Sequence, residues 1–429
     1  MRTFTHRIPG LVLTGHEFTL PLDYRQPGGE QITVFAREVV AASREQENLP
    51  WLVYFQGGPG FGSPRPMENS GWIKRAVQDY RLLLLDQRGT GLSTMATAQT
   101  LARLPTPQAQ ADYLKHFRAD NIVRDAESIR RQLVGEEGRW SVLGQSFGGF
   151  CVTHYLSAAP HALHEAIITG GLPSLSWPAE DVYRATYRRV LEKNRRFYER
   201  YPEDVEQVQV IVRHLHEHDV RLPGGGRLTP RRFQQLGLAF GASDGFEQVH
   251  YLLEEAFVRG TRQPELSYRF LRQVEQMDSF ETNPIFAILH EAIYCQGTAS
   301  RWAAERVRSE YPEFEPNPER IVYFTGEMVY PWMFDEYPQL QPLCEAAHLL
   351  AEFGDWPQLY DEAVLSTNTV PCAAAIYYDD MYVERTYSEE TAAVIAGIKL
   401  WVTNEYEHNG LRADGEKVLG RLLEMVRGG

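Results

Sequence analysis

Metal, membrane and nucleic acid are what this chain makes least provision for. Only four cysteines occur in 429 residues, at 151, 295, 344 and 372. None forms a Cys-x-x-Cys pair, so neither a zinc site nor a disulfide framework is expected, and isolated buried thiols fit a reducing compartment. No apolar run is long enough for a membrane helix, and the opening stretch Met-Arg-Thr-Phe-Thr-His-Arg-Ile-Pro-Gly lacks the apolar segment of a signal peptide. A cytoplasmic location is therefore expected. Positive charge is in deficit: 43 Lys and Arg stand against 57 Asp and Glu, a formal net charge of −14. Such a balance argues against binding a phosphate backbone and mildly favours a soluble protein with neutral or cationic ligands. No internal repeat or low-complexity tract is present.

What the chain does have is one well-placed turn. Trp140-Ser-Val-Leu reads as a short buried strand, Gly144-Gln145-Ser146-Phe147-Gly148 follows, and Phe150-Cys-Val-Thr-His-Tyr-Leu reads as a helix. Strand, sharp turn, helix is the setting in which Gly-x-Ser-x-Gly becomes a nucleophile elbow. A serine lifted onto such a turn has strained backbone angles and close neighbours, and glycines on both sides leave room for them. The helix that follows points amide donors at any oxyanion.

The surroundings suit that reading. Leu11-Val-Leu-Thr and Gln31 to Val40 read as two antiparallel strands. Trp51-Leu-Val-Tyr-Phe is a buried strand that runs into Gln56-Gly57-Gly58-Pro59-Gly60-Phe61-Gly62. That loop lacks the Lys-Ser/Thr of a phosphate loop and the dinucleotide spacing, and exposed amides beside a nucleophile fit it better. Arg81-Leu-Leu-Leu-Leu is another strand, ending at Asp86-Gln87-Arg88-Gly89. These charges are expected to brace the turn, because an acid of this fold class follows the serine in the chain. Residues 121–134 carry helical spacing, and Ala166-Ile-Ile-Thr is the next strand. Strand and helix alternate from 50 to 155, the signature of a mostly parallel sheet. Long polar and aromatic helical segments then run from about 174 to 365 and read as a helical insert. Strand character resumes at Ala373-Ala-Ala-Ile-Tyr-Tyr and again at Lys399-Leu-Trp-Val-Thr, before a closing helix. The expected division is a core of 1–173 and 366–429 around a cap of 174–365.

A serine is a weak nucleophile until a base takes its proton, and the usual base is a histidine oriented by a carboxylate. The required order, Ser then Asp or Glu then His, is present at three strand ends: Ser146, then Asp379 or Asp380, then His408. Asp380 is preferred over its neighbour. Of thirteen histidines, His408 is the one in a Gly-containing loop just after the last expected strand. The amides of Phe147 and of Gly57 or Gly58 are the expected oxyanion donors. The chemistry is acyl transfer to serine and then to water, with no metal or organic cofactor required.

Together, Gln56-Gly-Gly-Pro-Gly-Phe-Gly, Asp86-Gln-Arg-Gly-Thr-Gly-Leu-Ser and Gly144-Gln-Ser-Phe-Gly-Gly resemble the prolyl aminopeptidases (proline iminopeptidases) of the α/β-hydrolase superfamily, peptidase family S33. Asp380-Met and Glu407-His408-Asn-Gly-Leu-Arg extend the match over nearly the whole chain. Gln56 departs from the pattern, since many members have His there; backbone amides supply the contact, so little consequence is expected. The resemblance implies an α/β-hydrolase fold, with a mostly parallel eight-stranded sheet flanked by helices and a large helical cap. It also implies release of an N-terminal residue, typically proline, from a small peptide or amide with a free N-terminus. A partly desolvated ammonium needs an opposite charge. Glu291, in Leu289-His-Glu-Ala-Ile-Tyr294, resembles the family's cap glutamate for the substrate amine, and Glu327 is a second candidate. Phe286, Tyr294, Trp302 and Trp332 are aromatics able to wall a pyrrolidine pocket. An esterase or amidase acting on a small non-peptide acyl compound is the alternative, because the same triad serves many acyl groups. A ligand-binding protein that lost turnover fits an intact Ser, Asp and His poorly.

Overall fold

The computed structural model describes residues 2–260 and 264–428. Among these residues nine strands form one sheet: β1 (Arg2–Ile8), β2 (Leu11–Pro21), β3 (Gln31–Ala41), β4 (Trp51–Phe55), β5 (Arg81–Asp86), β6 (Trp140–Gln145), β7 (Leu163–Thr169), β8 (Cys372–Tyr377) and β9 (Ile398–Thr403). Their spatial order is β1-β2-β3-β5-β4-β6-β7-β8-β9. β1, β2, β3 and β5 pair antiparallel in turn, while all pairs from β5 to β9 are parallel. The sheet is thus mostly parallel, but it has nine strands rather than the eight expected. The extra strand is β1, an edge strand whose residues 3–7 are exposed, so it carries no apolar signature to read.

The central parallel strands β4, β5 and β8 are nearly all apolar and buried because both faces of the sheet are covered there. Alternate residues go to opposite cores. Val53, Phe55, Leu83, Leu85 and Val142 pack on the side of the helices Ala119–Val134 and Phe147–Ala158. Leu52, Tyr54, Leu82, Leu84 and Leu143 face the other way, onto Ile73 and onto Val418, Leu419 and Leu422 of the closing helix Gly415–Arg427.

Between β7 and β8 the described residues add no strand to the sheet and are largely helical, beginning with the long helix Ala179–Arg200. Among the described residues, no helix is long and apolar enough to cross a membrane.

The turn after β5 holds itself together by charge. Asp86 accepts the amides of Ser63 (2.9 Å) and Leu92 (2.8 Å) and pairs with Arg65. Arg88 is wholly buried and forks onto Asp125, Nε to Oδ2 at 2.7 Å and Nη2 to Oδ1 at 2.6 Å. Its Nη1 also donates to the carbonyls of Leu22 (2.8 Å) and His116 (2.9 Å). These contacts tie β2, the turn and the helix Ala119–Val134 into one block. A buried pair broken on one side leaves an uncompensated charge, so Asp125→Ala is expected to cost about 3–5 kcal/mol of stability. Urea unfolding followed by circular dichroism measures it, and a loss under about 1 kcal/mol would show that the pair is not structural.

Candidate active site

The register of the parallel strands brings four chain segments to one edge of the sheet. Phe55 pairs with Gly144, Gln145 with Thr169, Thr169 with Ala375, and Tyr377 with Thr403. The loops leaving β4, β6, β8 and β9 therefore emerge together, as expected for ligand sites at the carboxyl ends of strands in α/β sheets. Gly57, Ser146, Asp380 and His408 stand on these loops.

Ser146 has φ 56° and ψ −127°, outside the regions ordinary residues favour, and the helix Phe147–Ala158 begins directly after it. The strain is held by contacts that admit no side chain. A Cβ on Gly148 would lie 1.9 Å from the carbonyl oxygen of Phe55. A Cβ on Gly57 would lie 2.9 Å from the Ser146 Cβ, so the Gly57 backbone runs directly beside the nucleophile. The Phe147 amide is in the first turn of the helix, where N–H groups have no intrahelical partner.

His408 and Asp380 are both buried, with Nδ1 2.6 Å from Oδ2. The second carboxylate oxygen of Asp380 accepts the amides of Tyr382 (2.8 Å) and Val383 (3.1 Å). An Nδ1–H donated to Asp380 leaves Nε2 as the proton acceptor, which is what a general base needs. Burial opposes the imidazolium, but the charge of Asp380 and its hydrogen bond outweigh this, and the pKa of His408 is raised. The Tyr382 ring stands edge-on to the imidazole at 4.8 Å, and the His408 amide donates to the Gly241 carbonyl at 3.1 Å.

Asp379 points elsewhere. Arg196 on the helix Ala179–Arg200 donates to its Oδ2 at 2.8 Å, and its carboxyl pKa is lowered: burial works against this, but the Arg196 bond prevails. The same helix pairs Arg189 with Glu384 (2.8 Å) and Lys193 with Glu407. Residues 189, 193 and 196 follow the i, i+4, i+7 rhythm of one helix face. One face of this helix thus clamps both the loop bearing Asp380 and the loop bearing His408.

Ser146, His408, Gly57 and Gly58 line a common cavity of about 500 Å³, with Phe286 and Glu327 also in its wall. Of the six cap residues singled out for substrate contact, Glu327 and Phe286 line it, and Glu291, Tyr294, Trp302 and Trp332 do not. The segment of Glu327 is pinned by buried Asn194, which accepts the Phe324 amide (2.7 Å) and donates to the Phe324 carbonyl (2.8 Å). Burial pushes the Glu327 carboxyl up to about 8, with the charges of His408 and Asp380 pulling in opposite directions. Glu291 is buried outside the cavity wall. Its Oε1 accepts the Ala304 amide at 2.8 Å, its Oε2 has no partner among the described residues, and burial raises it to about 7. Tyr294 lies between the two glutamates electrostatically: burial, then the charge of Glu327, keeps its hydroxyl well above its usual range, and Glu291 adds to this. Trp332 stacks on Tyr330 (5.5 Å) and under Arg231 (4.5 Å), outside the cavity wall. Trp302 heads the helix Ala303–Arg308 and gives its indole N–H to His348 Nδ1 at 3.1 Å, also outside.

Gln145, whose Nε2 lies 3.4 Å from His408 Nε2, Tyr382 and Arg412 also line the cavity, and the sequence marks none of them individually. Gln145 and Arg412 enter the sequence reading only inside longer motifs, and each of the three sits within four positions of Ser146, Asp380 or His408.

The family model described as alpha/beta hydrolase fold matches residues 50–212. A proline iminopeptidase of Aeromonas sobria is 54% identical over 421 residues, covering 98% of this chain and 98% of its own. Proline iminopeptidase aneH of Aspergillus aculeatus is 37% identical over 436 residues, covering 98% of this chain and 95% of its own.

The two adjacent aspartates separate by experiment. Asp380→Asn is expected to slow labelling of Ser146 by a fluorophosphonate by roughly 10³- to 10⁴-fold, since it removes the anchor of the imidazole. Asp379→Asn is expected to slow it by less than about 10-fold, the loss of one partly exposed ion pair. Equal effects would contradict the assignment.

Proposed function

The chain belongs to the proline iminopeptidases of the α/β-hydrolase superfamily, and from that premise we propose how its residues release an N-terminal residue, preferentially proline, from a peptide. Ser146 Oγ attacks the carbonyl carbon of the N-terminal residue while His408 Nε2 takes its proton. The oxyanion that forms accepts hydrogen bonds from the amides of Phe147 and of Gly57 or Gly58, each worth about 3 kcal/mol of barrier. His408 returns the proton to the leaving amine, and the peptide bond breaks to leave a prolyl ester on Ser146. Water, deprotonated by His408, then hydrolyses the ester and restores the serine. Asp380 holds the imidazole tautomer and stabilises the imidazolium.

The observation that carries the substrate assignment is the carboxylate of Glu327, largely buried in the wall that also holds Ser146 and His408. An esterase for neutral acyl groups gains nothing from a buried carboxylate there, whereas a substrate ammonium would satisfy it. Glu327 is proposed as the direct partner of that ammonium. Glu291, whose Oε2 has no hydrogen-bond partner among the described residues, is proposed as a second carboxylate of the site, since its charge and that of Glu327 both act on Tyr294. The cap is assigned to residues 174–365 and the core to 1–173 and 366–429. Four free cysteines, three of them buried, suit a cytoplasmic location. Neither a nucleic acid nor a membrane is among the proposed partners.

Turnover of a prolyl arylamide without turnover of an N-blocked prolyl arylamide is the expected behaviour; acetyl-ester cleavage without prolyl-amide cleavage would favour the esterase instead. Glu327→Gln is expected to raise KM for the free-amine substrate about 10- to 100-fold, the worth of one charge-assisted hydrogen bond, and to affect a neutral ester much less. The pH dependence has a definite sign. With its pKa raised to about 8, Glu327 is mostly protonated at neutral pH and must ionise to hold a cation. Below that pH, kcat/KM for the free-amine substrate therefore falls more steeply than for a neutral ester, which titrates only His408. Glu327→Gln is expected to remove the extra slope; its persistence in the variant would contradict the role.

A further inference from the structure

The cavity that holds Ser146 does not stop at the triad. A second cavity, of about 450 Å³, shares Leu238, Ala242, Tyr382 and Arg412 with it. Arg412 thus stands on the rim between the two, on the short helix Gly410–Ala413 that follows His408. Its side chain is exposed and, among the described residues, no carboxylate pairs with it. Other guanidiniums nearby are already neutralised: in the second cavity Arg232 Nη2 is 2.7 Å from Asp278 and 2.8 Å from Glu281. Arg412 is also close enough to the triad for its charge to oppose protonation of His408. In a chain of net charge −14, a cation left unpaired at the mouth of an active site calls for an anion.

The reaction itself supplies one. With the substrate ammonium on Glu327 and the scissile carbonyl on Ser146, the peptide beyond the cleaved bond leads away from Glu327. Each further residue adds at most about 3.3–3.6 Å before the chain ends in a carboxylate. A guanidinium presents a planar fork that takes a carboxylate by two parallel hydrogen bonds. We infer that Arg412 binds the free C-terminal carboxylate of di- and tripeptides, making this a short-peptide aminopeptidase that reads both ends of its substrate. Longer chains pass into the second cavity, beside Gln248 and Gln276, without that contact. This inference rests on the aminopeptidase reading above.

The test compares proline release from Pro-Ala and from Pro-Ala amide by the unmodified enzyme, Arg412→Gln and Arg412→Lys. The unmodified enzyme is expected to favour the free acid about tenfold, the effect of one charge-assisted contact, through KM rather than kcat. Arg412→Gln brings the ratio close to one. Arg412→Lys keeps part of it, since a point charge remains while the fork is lost. Added salt reduces the preference. Equal use of acid and amide by the unmodified enzyme, or an unchanged ratio in Arg412→Gln, overturns the role of Arg412 and leaves the aminopeptidase reading standing. Release of proline from neither peptide overturns both. If Arg412→Gln does not fold, the unmodified enzyme and Arg412→Lys still decide the matter.

Discussion

The hydrogen bond between His408 Nδ1 and Asp380 Oδ2, 2.6 Å long and buried, is the contact on which the rest of the site depends. A buried carboxylate is costly unless its lone pairs are filled, and Asp380 fills them with the imidazole and two backbone amides. The segment between β7 and β8 contributes to this arrangement. Its helix Ala179–Arg200 ties down Asp379, Glu384 and Glu407, and so fixes the two loops whose tips must meet. Three ion pairs thus join that helix to the loops bearing Asp380 and His408.

The same burial that orders the triad sets the chemistry of recognition. Glu327 and Glu291 are both pushed toward neutrality by their surroundings, to about 8 and about 7. Phe286 supplies apolar surface in the wall of the same cavity as Glu327. Arg412 balances the other end of the site. A zwitterionic substrate meets opposite charges at its two ends, which orients it before any bond is broken.

Much of this was legible in the residues. Gly-x-Ser-x-Gly between a strand and a helix is a local pattern, and the chain order of Ser, Asp and His follows from fold class, so both can be read without coordinates. The parallel core was legible because strands buried on both faces are apolar end to end. β1 was not, since an exposed edge strand looks like any polar segment. Asp379 and Asp380 could be ranked but not separated, because adjacent residues in a loop point in directions that only their partners fix: Arg196 for one, His408 for the other. The two glutamates were legible as candidates. Their different placement, one in the cavity wall and one behind it, depends on how Asn194 and the Ala304 amide pin distant segments, and no local pattern encodes that. Arg412 could be read only as the end of the stretch Glu407 to Arg412, with no role of its own: its significance lies in the charge partner that none of the described residues supplies.

In the proposed mechanism the acyl group is carried by Ser146 Oγ. Quenching the enzyme in acid during turnover of a proline ester, followed by mass spectrometry of its peptides, tests this most directly. A prolyl group on the peptide containing Ser146, absent from Ser146→Ala, is the predicted result. Steady product formation with that peptide unmodified, or with the adduct on another residue, would contradict the account.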